Sequence, residues 1–347
     1  MNWLERKILG FFVKTKGVFS KPFFAGKGLI FMLHRVLPEN ERSAYSLNKD
    51  LAITPEKLEE FILFFKQKGY VFISLDEIAD YLDGKIKFLQ KFICLTFDDG
   101  YKDNLIYGLP ILKKHKVPAT IYVTNCLPNG TAIMWWYLFE NHVNSHSELI
   151  LHSSKGLSEF HWADEQSAFS QFGQVSQAIK EIPGNELRAV LSQGFGLSDS
   201  EIELQCTSIS LTWDEIKELA NDSLITIGAH TMNHISVKQQ IEALVVEEMT
   251  ASKSELEKYI GKEVVHFAYP FGGELDVSKR DLELAAKAGF KTSTLNQAGS
   301  IFKSNKKSKQ ALARMPLGNR IDNERMSNYL NGIYHFSVNG FKKQKYH

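Results

Sequence analysis

Asp98 and Asp99 stand side by side at the end of a short apolar run, residues 93–97, and Gly100 follows them. Two neighbouring carboxylates beside a core repel each other and are costly to desolvate. A cation or a shared proton would relieve that cost. A tight turn at Gly100 can swing both into one pocket, where one binds a metal and the other moves a proton. Asp-Asp-Gly is also a common turn sequence, so the weighing depends on the rest of the chain. His230 and His234 lie four apart, just past the apolar run 225–229. In a helical turn that spacing puts both imidazoles on one face, able to hold one metal, although packing alone can also account for a histidine pair. Added to a carboxylate of the aspartate pair, they make a two-histidine, one-carboxylate set with room for water, the layout of a catalytic zinc site. With Asp99 as the third ligand, Asp98 remains free as a base.

The elements that must position these groups alternate. Apolar runs at 28–34, 70–74, 93–97, 119–124, 224–229, 264–269, 290–294 and 311–316 read as strands. Helical patterns fall between them at 54–68, 75–81, 101–116 (with Pro110 kinking or dividing it), 212–221, 237–259 and 276–288, and a tail helix is expected at 322–330. Repeated strand–helix units imply parallel strands with helices outside. The fold class expected is α/β, a distorted (β/α) barrel of seven or eight mainly parallel strands. Residues 129–210 break the alternation and read as a mostly helical insertion, with helices near 135–144, 163–181 and 198–206. Residues 1–27 form an N-terminal amphipathic segment, 28–320 the barrel, and 321–347 a C-terminal helix and basic tail. Active sites in such barrels lie at the C-terminal strand ends. His34, Asp98, Asp99, Asn125, His230, Tyr269 and Arg314 all fall at or just past expected strand ends.

Composition excludes several classes. The 347 residues carry 41 Lys and Arg against 40 Asp and Glu, so the chain as a whole is no nucleic-acid binder. Cys94, Cys126 and Cys206 are far apart and odd in number, and read as buried small hydrophobes. No apolar run is long enough to span a bilayer. Near the N-terminus, Trp3, Leu4, Ile8, Leu9, Phe11, Phe12 and Val13 interleave with Arg6, Lys7, Lys14 and Lys16. That pattern suits a basic helix lying on an anionic membrane, or a helix packed on the domain, and is too interrupted for a secretory signal. Cytoplasmic residence is the expectation, with peripheral contact at the inner membrane face through the N-terminus. Nothing in the sequence signals an oligomeric state.

The motifs together resemble the polysaccharide deacetylase family, the family 4 carbohydrate esterases with the NodB homology domain. Thr96, Phe97, Asp98, Asp99 and Gly100 match its first motif, and His230, Thr231, Met232, Asn233 and His234 match its His-(Ser/Thr)-x-x-His motif. The resemblance covers about residues 28–125 and 210–320. It implies one divalent metal, with zinc as the expected ion, and hydrolysis of an N-acetyl group from an amino sugar in a glycan or glycan precursor. Carried over by position, Asp98 is the base, while Asp99, His230 and His234 hold the metal. Many members have Arg-x-Pro-(Tyr/Phe)-Gly, but here Ala268 stands where the arginine would. Arg314 is the candidate replacement, beside the base, with a structural salt bridge as the alternative. The turn Tyr269, Pro270, Phe271 and Gly272 is expected to line the substrate pocket and turn backbone amides toward the oxyanion. The family's closing Leu-x-x-His is not evident. His34 is therefore the first candidate for general acid, in a stretch resembling Tyr-His-x-Val with Leu33 in place of the tyrosine, and His335 is the second. Asn125, Trp135 and Trp136 complete the expected substrate-binding set, with core packing as the other role for the tryptophans. Two other readings stay open: hydrolysis of another amide or C–N bond on the same scaffold, and a catalytically silent glycan-binding protein. The apparent lack of a secretory signal points to a lipid-linked or nucleotide-linked precursor.

Overall fold

The computed structural model describes residues 21–42 and 46–339. The amphipathic stretch expected at residues 3–16 and the basic tail from 340 lie outside the described residues. Eight strands form one sheet: β1 (Gly28–Leu33), β2 (Val71–Phe72), β3 (Phe92–Phe97), β4 (Ala119–Val123), β5 (Ile225–Ala229), β6 (His266–Ala268), β7 (Thr292–Thr294) and β8 (Met315–Pro316). Every pairing among them is parallel, in the order β7-β6-β5-β4-β3-β1-β8, with β2 on the first half of β3. The sheet curls until one extended segment bridges its two edges. Leu312 exchanges hydrogen bonds with the β7 strand and its exit, Leu312 N to Ser293 O and Leu295 N to Leu312 O, both 2.9 Å. Met315 then pairs with Phe31 of β1, and Leu317 N donates to Met32 O at 3.0 Å. The result is a distorted barrel.

The continuous apolar runs follow from burial on both faces. Leu29, Phe31 and Leu33 face the helical layer with Leu95 and Phe97, while Ile30 packs with Cys94, Tyr122, Ala268 and Leu312 in a second cluster. Gly228 makes room for that cluster, because a Cβ there would lie 2.4 Å from the Tyr122 ring. The helix Pro55–Gln67 shows how sequence sets the outer layer. Pro55 suits its first turn, Thr54 Oγ1 accepts from Lys57 N at 3.3 Å, and Gly69, at φ 77°, follows its end. Its Leu58, Phe61, Ile62 and Phe65 are buried, each contributing about 2 kcal/mol by removal from water.

The insertion has a core of its own and is less helical than expected. Helices Trp135–Val143, Glu165–Glu181 and Asp199–Ile209 stand close to the expected places. A β-hairpin, Glu148–Ser153 with Gly156–His161, and a fourth helix, Gly184–Phe195, were not foreseen. The hairpin alternates buried Leu149 and Leu151 with exposed Glu148 and His152, a polar one-sided pattern that composition hides. The expected helix at 237–259 starts later, at Glu242, after a single 3-10 turn Val237–Gln239. A further short helix, Ile333–Val338, follows the tail helix Asn323–Leu330.

Candidate active site

The C-terminal ends of β1, β3, β5 and β6 surround one cleft, and the insertion walls one side of it. His34, Asp98, Asp99, His230, His234, Tyr269 and Phe271 line the cleft, as do Trp135, Trp136 and Lys180 from the insertion. The backbone here is strained. Among the described residues, the non-glycine positions with left-handed φ are Asp99 (78°), Thr231 (63°), His234 (52°) and Phe271 (61°), together with the remote Lys116. Each such residue costs about 1–3 kcal/mol, and such strain persists where surrounding contacts over-determine it.

Asp98 is buried and gripped by a guanidinium. Arg314 Nη1 and Nη2 donate to its two oxygens at 2.6 and 2.7 Å. Arg314 precedes β8 instead of ending a strand as expected, so it reaches up from inside the barrel, donating also to Thr96 Oγ1 and Leu295 O, each at 3.2 Å. Burial pushes the Asp98 carboxyl up, but the charge and hydrogen bonds of Arg314, added to the nearby imidazoles, together outweigh this and hold it below the usual carboxylate range. A bidentate grip leaves each carboxylate oxygen a second lone pair, so Asp98 can still accept a proton.

Asp99 faces the histidines. Its Oδ1 lies 3.5 Å from His230 Nε2 and 3.3 Å from His234 Nε2, and has no hydrogen-bond partner. Two ligands about 2.0–2.1 Å from a tetrahedral zinc stand about 3.3 Å apart, so this spacing fits the ion. His230 Nδ1–H donates to the Ala268 carbonyl at 2.8 Å, which leaves the Nε2 lone pair turned to Asp99. Burial pushes Asp99 up, yet hydrogen bonds and charge from the two imidazoles in their protonated form bring it well below the usual carboxylate range. Burial also pushes His234 down, toward the neutral form a metal requires. An orphaned buried carboxylate oxygen beside two imidazoles is a donor set able to hold a divalent cation. Among the described residues, these three form the one cluster of this kind.

The histidines do not share a helical turn, contrary to the expectation. Left-handed Thr231 and His234 fold the 230–234 loop back, bringing the rings to 5.1 Å. Glu248, buried in the helix Glu242–Ile260, fastens that loop: Asn233 N and Nδ2 donate to its carboxylate at 2.9 and 2.6 Å. His234 stands between Trp136 and Phe271, with ring centroids at 5.3 and 4.8 Å. Trp135 and Trp136 belong to the core of the insertion and also line the wall of the cleft.

Pro270, Phe271 and Gly272 form a γ-turn, with Gly272 N donating to Pro270 O at 2.6 Å. A side chain at Gly272, where φ is 65°, would put its Cβ 2.5 Å from Asn296 N. The expectation that the turn offers several amides is corrected. Pro270 has no N–H, and the amides of Tyr269, Gly272 and Gly273 donate to Thr294 O, Pro270 O and Asp276 Oδ2. Phe271 N–H is the turn amide with no protein acceptor among the described residues. From the insertion, Lys180 pairs with Asp276 at 3.1 Å and lies 4.2 Å over the Phe271 ring.

Two other expectations are overturned. Asn125 does not line the cleft. Its Nδ2 donates to Glu255 Oε2 at 2.7 Å and its Oδ1 accepts from Ser252 Oγ at 2.7 Å, so it ties β4 to the helix Glu242–Ile260. His335 is buried far from the cleft, with Nε2 at 2.6 Å from Phe24 O and 3.2 Å from Ser300 Oγ. His34 alone of the two general-acid candidates reaches the cleft, where it is partly exposed. Glu248, Lys180 and Asp276 were missed. A buried glutamate inside a charged helix and an ion pair spanning distant segments leave no local pattern.

The profile of the family described as polysaccharide deacetylase matches residues 85–205 and 199–293. The Bacillus subtilis protein YxkH is 31% identical over 78 residues, a match spanning 22% of this chain and 28% of that relative's length. Three solved structures share the fold. The Streptococcus pyogenes deacetylase PplD, in complex with acetate, is similar at TM-score 0.56 and 19% identity, covering 87% of this chain and 97% of its own. A de-N-acetylase from Aggregatibacter actinomycetemcomitans is similar at 0.56 and 16% identity, covering 87% and 99%. IcaB from Ammonifex degensii is similar at 0.54 and 18% identity, covering 88% and 97%.

Proposed function

Because the chain belongs to the polysaccharide deacetylase family, we propose that it hydrolyses the N-acetyl group of an amino sugar in a glycan or glycan precursor, releasing acetate. The observation that carries this reading is an arginine-held aspartate, Asp98, adjoining an aspartate–histidine–histidine cluster at the floor of one cleft. A divalent cation held by Asp99, His230 and His234, with zinc as the best fit, would supply Lewis acidity to the acetamide carbonyl and acidify a water. Asp98, kept ionised by Arg314, takes a proton from the attacking water. The water oxygen bonds to the acyl carbon, and the C–N bond breaks as His34 gives a proton to the leaving nitrogen. Phe271 N–H, which has no protein acceptor among the described residues, donates to the carbonyl oxygen as it gains charge. Trp135 and Trp136 offer the sugar an aromatic wall.

The test is acetate release from a panel of N-acetylated sugars and oligosaccharides with zinc present, for the natural chain beside Asp98→Asn. Release by the former and its loss by several orders of magnitude in the latter supports the assignment. Stoichiometric metal with no release from any sugar would mean that the cleft acts on another amide.

A further inference from the structure

We propose that the end of the barrel opposite the cleft docks on an anionic membrane surface. The loop 84–91 enters β3 at the N-terminal end of the strands, and Leu89 on it is 97% exposed. The loop does not stand alone: Phe88 packs on Tyr81 and Phe92, with ring centroids at 6.1 and 5.4 Å. Leu89 is thus an apolar side chain presented by an anchored support. Lys27, at the entrance to β1, donates to the Leu89 carbonyl at 3.1 Å. Phe23, four residues before it, is 62% exposed. Lys303 donates to the Tyr81 carbonyl and lies 4.6 Å over the Tyr81 ring, so the 303–309 loop adjoins the same surface.

Charge on this surface is one-sided. Asp80 is paired with Lys85 at 2.8 Å, Asp83 with Lys309 at 2.9 Å, and Asp76 faces His266 at 3.3 Å. Glu77 is committed to capping Ser74. Exposed Lys87, Lys303, Lys306 and Lys307 form no ion pair among the described residues. The chain outside the described residues joins here with the same sign. Residues 1–20 carry Arg6, Lys7, Lys14 and Lys16 against Glu5 and lead into Lys21. Residues 340–347 carry Lys342, Lys343 and Lys345 and follow the helix Ile333–Val338, whose His335 Nε2 lies 2.6 Å from Phe24 O beside the entrance to β1.

Exposed Leu89 and Phe23, with lysines free of ion pairs on the adjoining loops, suit the boundary between acyl chains and anionic headgroups, where apolar burial and charge attraction add. A soluble polyanion would use the lysines but leave Leu89 in water. Docked this way, the cleft opens away from the bilayer, toward sugars remote from any lipid anchor.

The experiment sediments the full chain with phosphatidylcholine vesicles, with and without phosphatidylglycerol. The expected result is binding to the anionic vesicles only, weakened by salt and, in Lys87→Glu/Lys306→Glu/Lys307→Glu, weakened by on the order of 100-fold. Circular dichroism and acetate release from a soluble substrate should match the natural chain. In parallel, Leu89→Cys carrying an environment-sensitive dye should report an apolar surrounding on vesicle addition. Equal binding by the triple variant would overturn the proposal and leave any affinity to residues 1–20. So would a dye that stays in water while heparin competes fully, which would make the surface a polyanion site.

Discussion

Arg314 holds Asp98 through two guanidinium nitrogens, at 2.6 and 2.7 Å, across 216 residues of sequence, and both side chains are almost wholly buried. The pair answers a problem set by the strand end, where two adjacent carboxylates enter the core. Removing one partner of a buried pair leaves an uncompensated charge and costs about 3–5 kcal/mol. Arg314→Met should lose about that much in urea unfolding. It should also raise the Asp98 pKa and move the acid limb of the kcat/KM profile to higher pH. Arg314→Lys cannot grip both oxygens and should fall between. If Arg314→Met keeps the natural stability and the natural acid limb, the pair has no bearing on the base.

A cation at Asp99, His230 and His234 should stabilise the fold as well as serve the reaction. Binding to the folded state alone adds about 2.7 kcal/mol at a concentration one hundred times Kd. Chelation should therefore lower the Tm and abolish acetate release, and added zinc should restore both. His234→Asn should hold less than one equivalent of metal in elemental analysis. A Tm unaffected by chelator and by zinc would argue that Asp99 Oδ1 has no cation to bind.

Much of this site was legible because the sequence puts it where parallel strands end. The runs 93–97 and 225–229 needed only the rule that buried parallel strands are apolar throughout to place Asp98, Asp99 and His230 together. Arg314 could be nominated from the alanine that stands in the third motif. Its position below the strand end depends on β8 pairing with β1, a long-range register. Asn125 shows the limit of the rule. It sits beyond a strand end, yet its side chain turns outward to Ser252 and Glu255, a choice made by the helix it meets. The hairpin Glu148–Ser153 with Gly156–His161 was hidden for a related reason: its strands bury one face against a core that exists only once the insertion is assembled.

Glu248 is a positioning residue whose loss should be read first in metal affinity. Its carboxylate takes two hydrogen bonds from Asn233, beside left-handed His234. Glu248→Gln keeps the shape but sets an amide N–H₂ against one of those donors. Changes to the groups that orient metal ligands cost about 10–100-fold in metal affinity. Zinc titration of the metal-free variant should show that loss, with activity recovering at saturating zinc. Unchanged zinc affinity would leave Glu248 as a packing residue only.

His335 should make the fold sensitive to mild acid at the end remote from the cleft. It is buried where the helix Ile333–Val338 meets Phe24, and Nδ1 has no partner there. Burial pushes its pKa down to about 4, against about 6.5 in an unfolded chain. The folded state thus favours the neutral ring. Above pH 6.5 both states are neutral and the contribution is fully present. As pH falls from about 6.5 toward 4, the unfolded chain takes up a proton that the folded chain refuses, and stability drops by about 1.4 kcal/mol per unit, about 3 kcal/mol in all. His335→Gln can still donate to the Phe24 carbonyl but cannot titrate. It should be less steep in denaturation midpoint against pH across that window. An identical slope in the variant would assign the acid sensitivity to other groups.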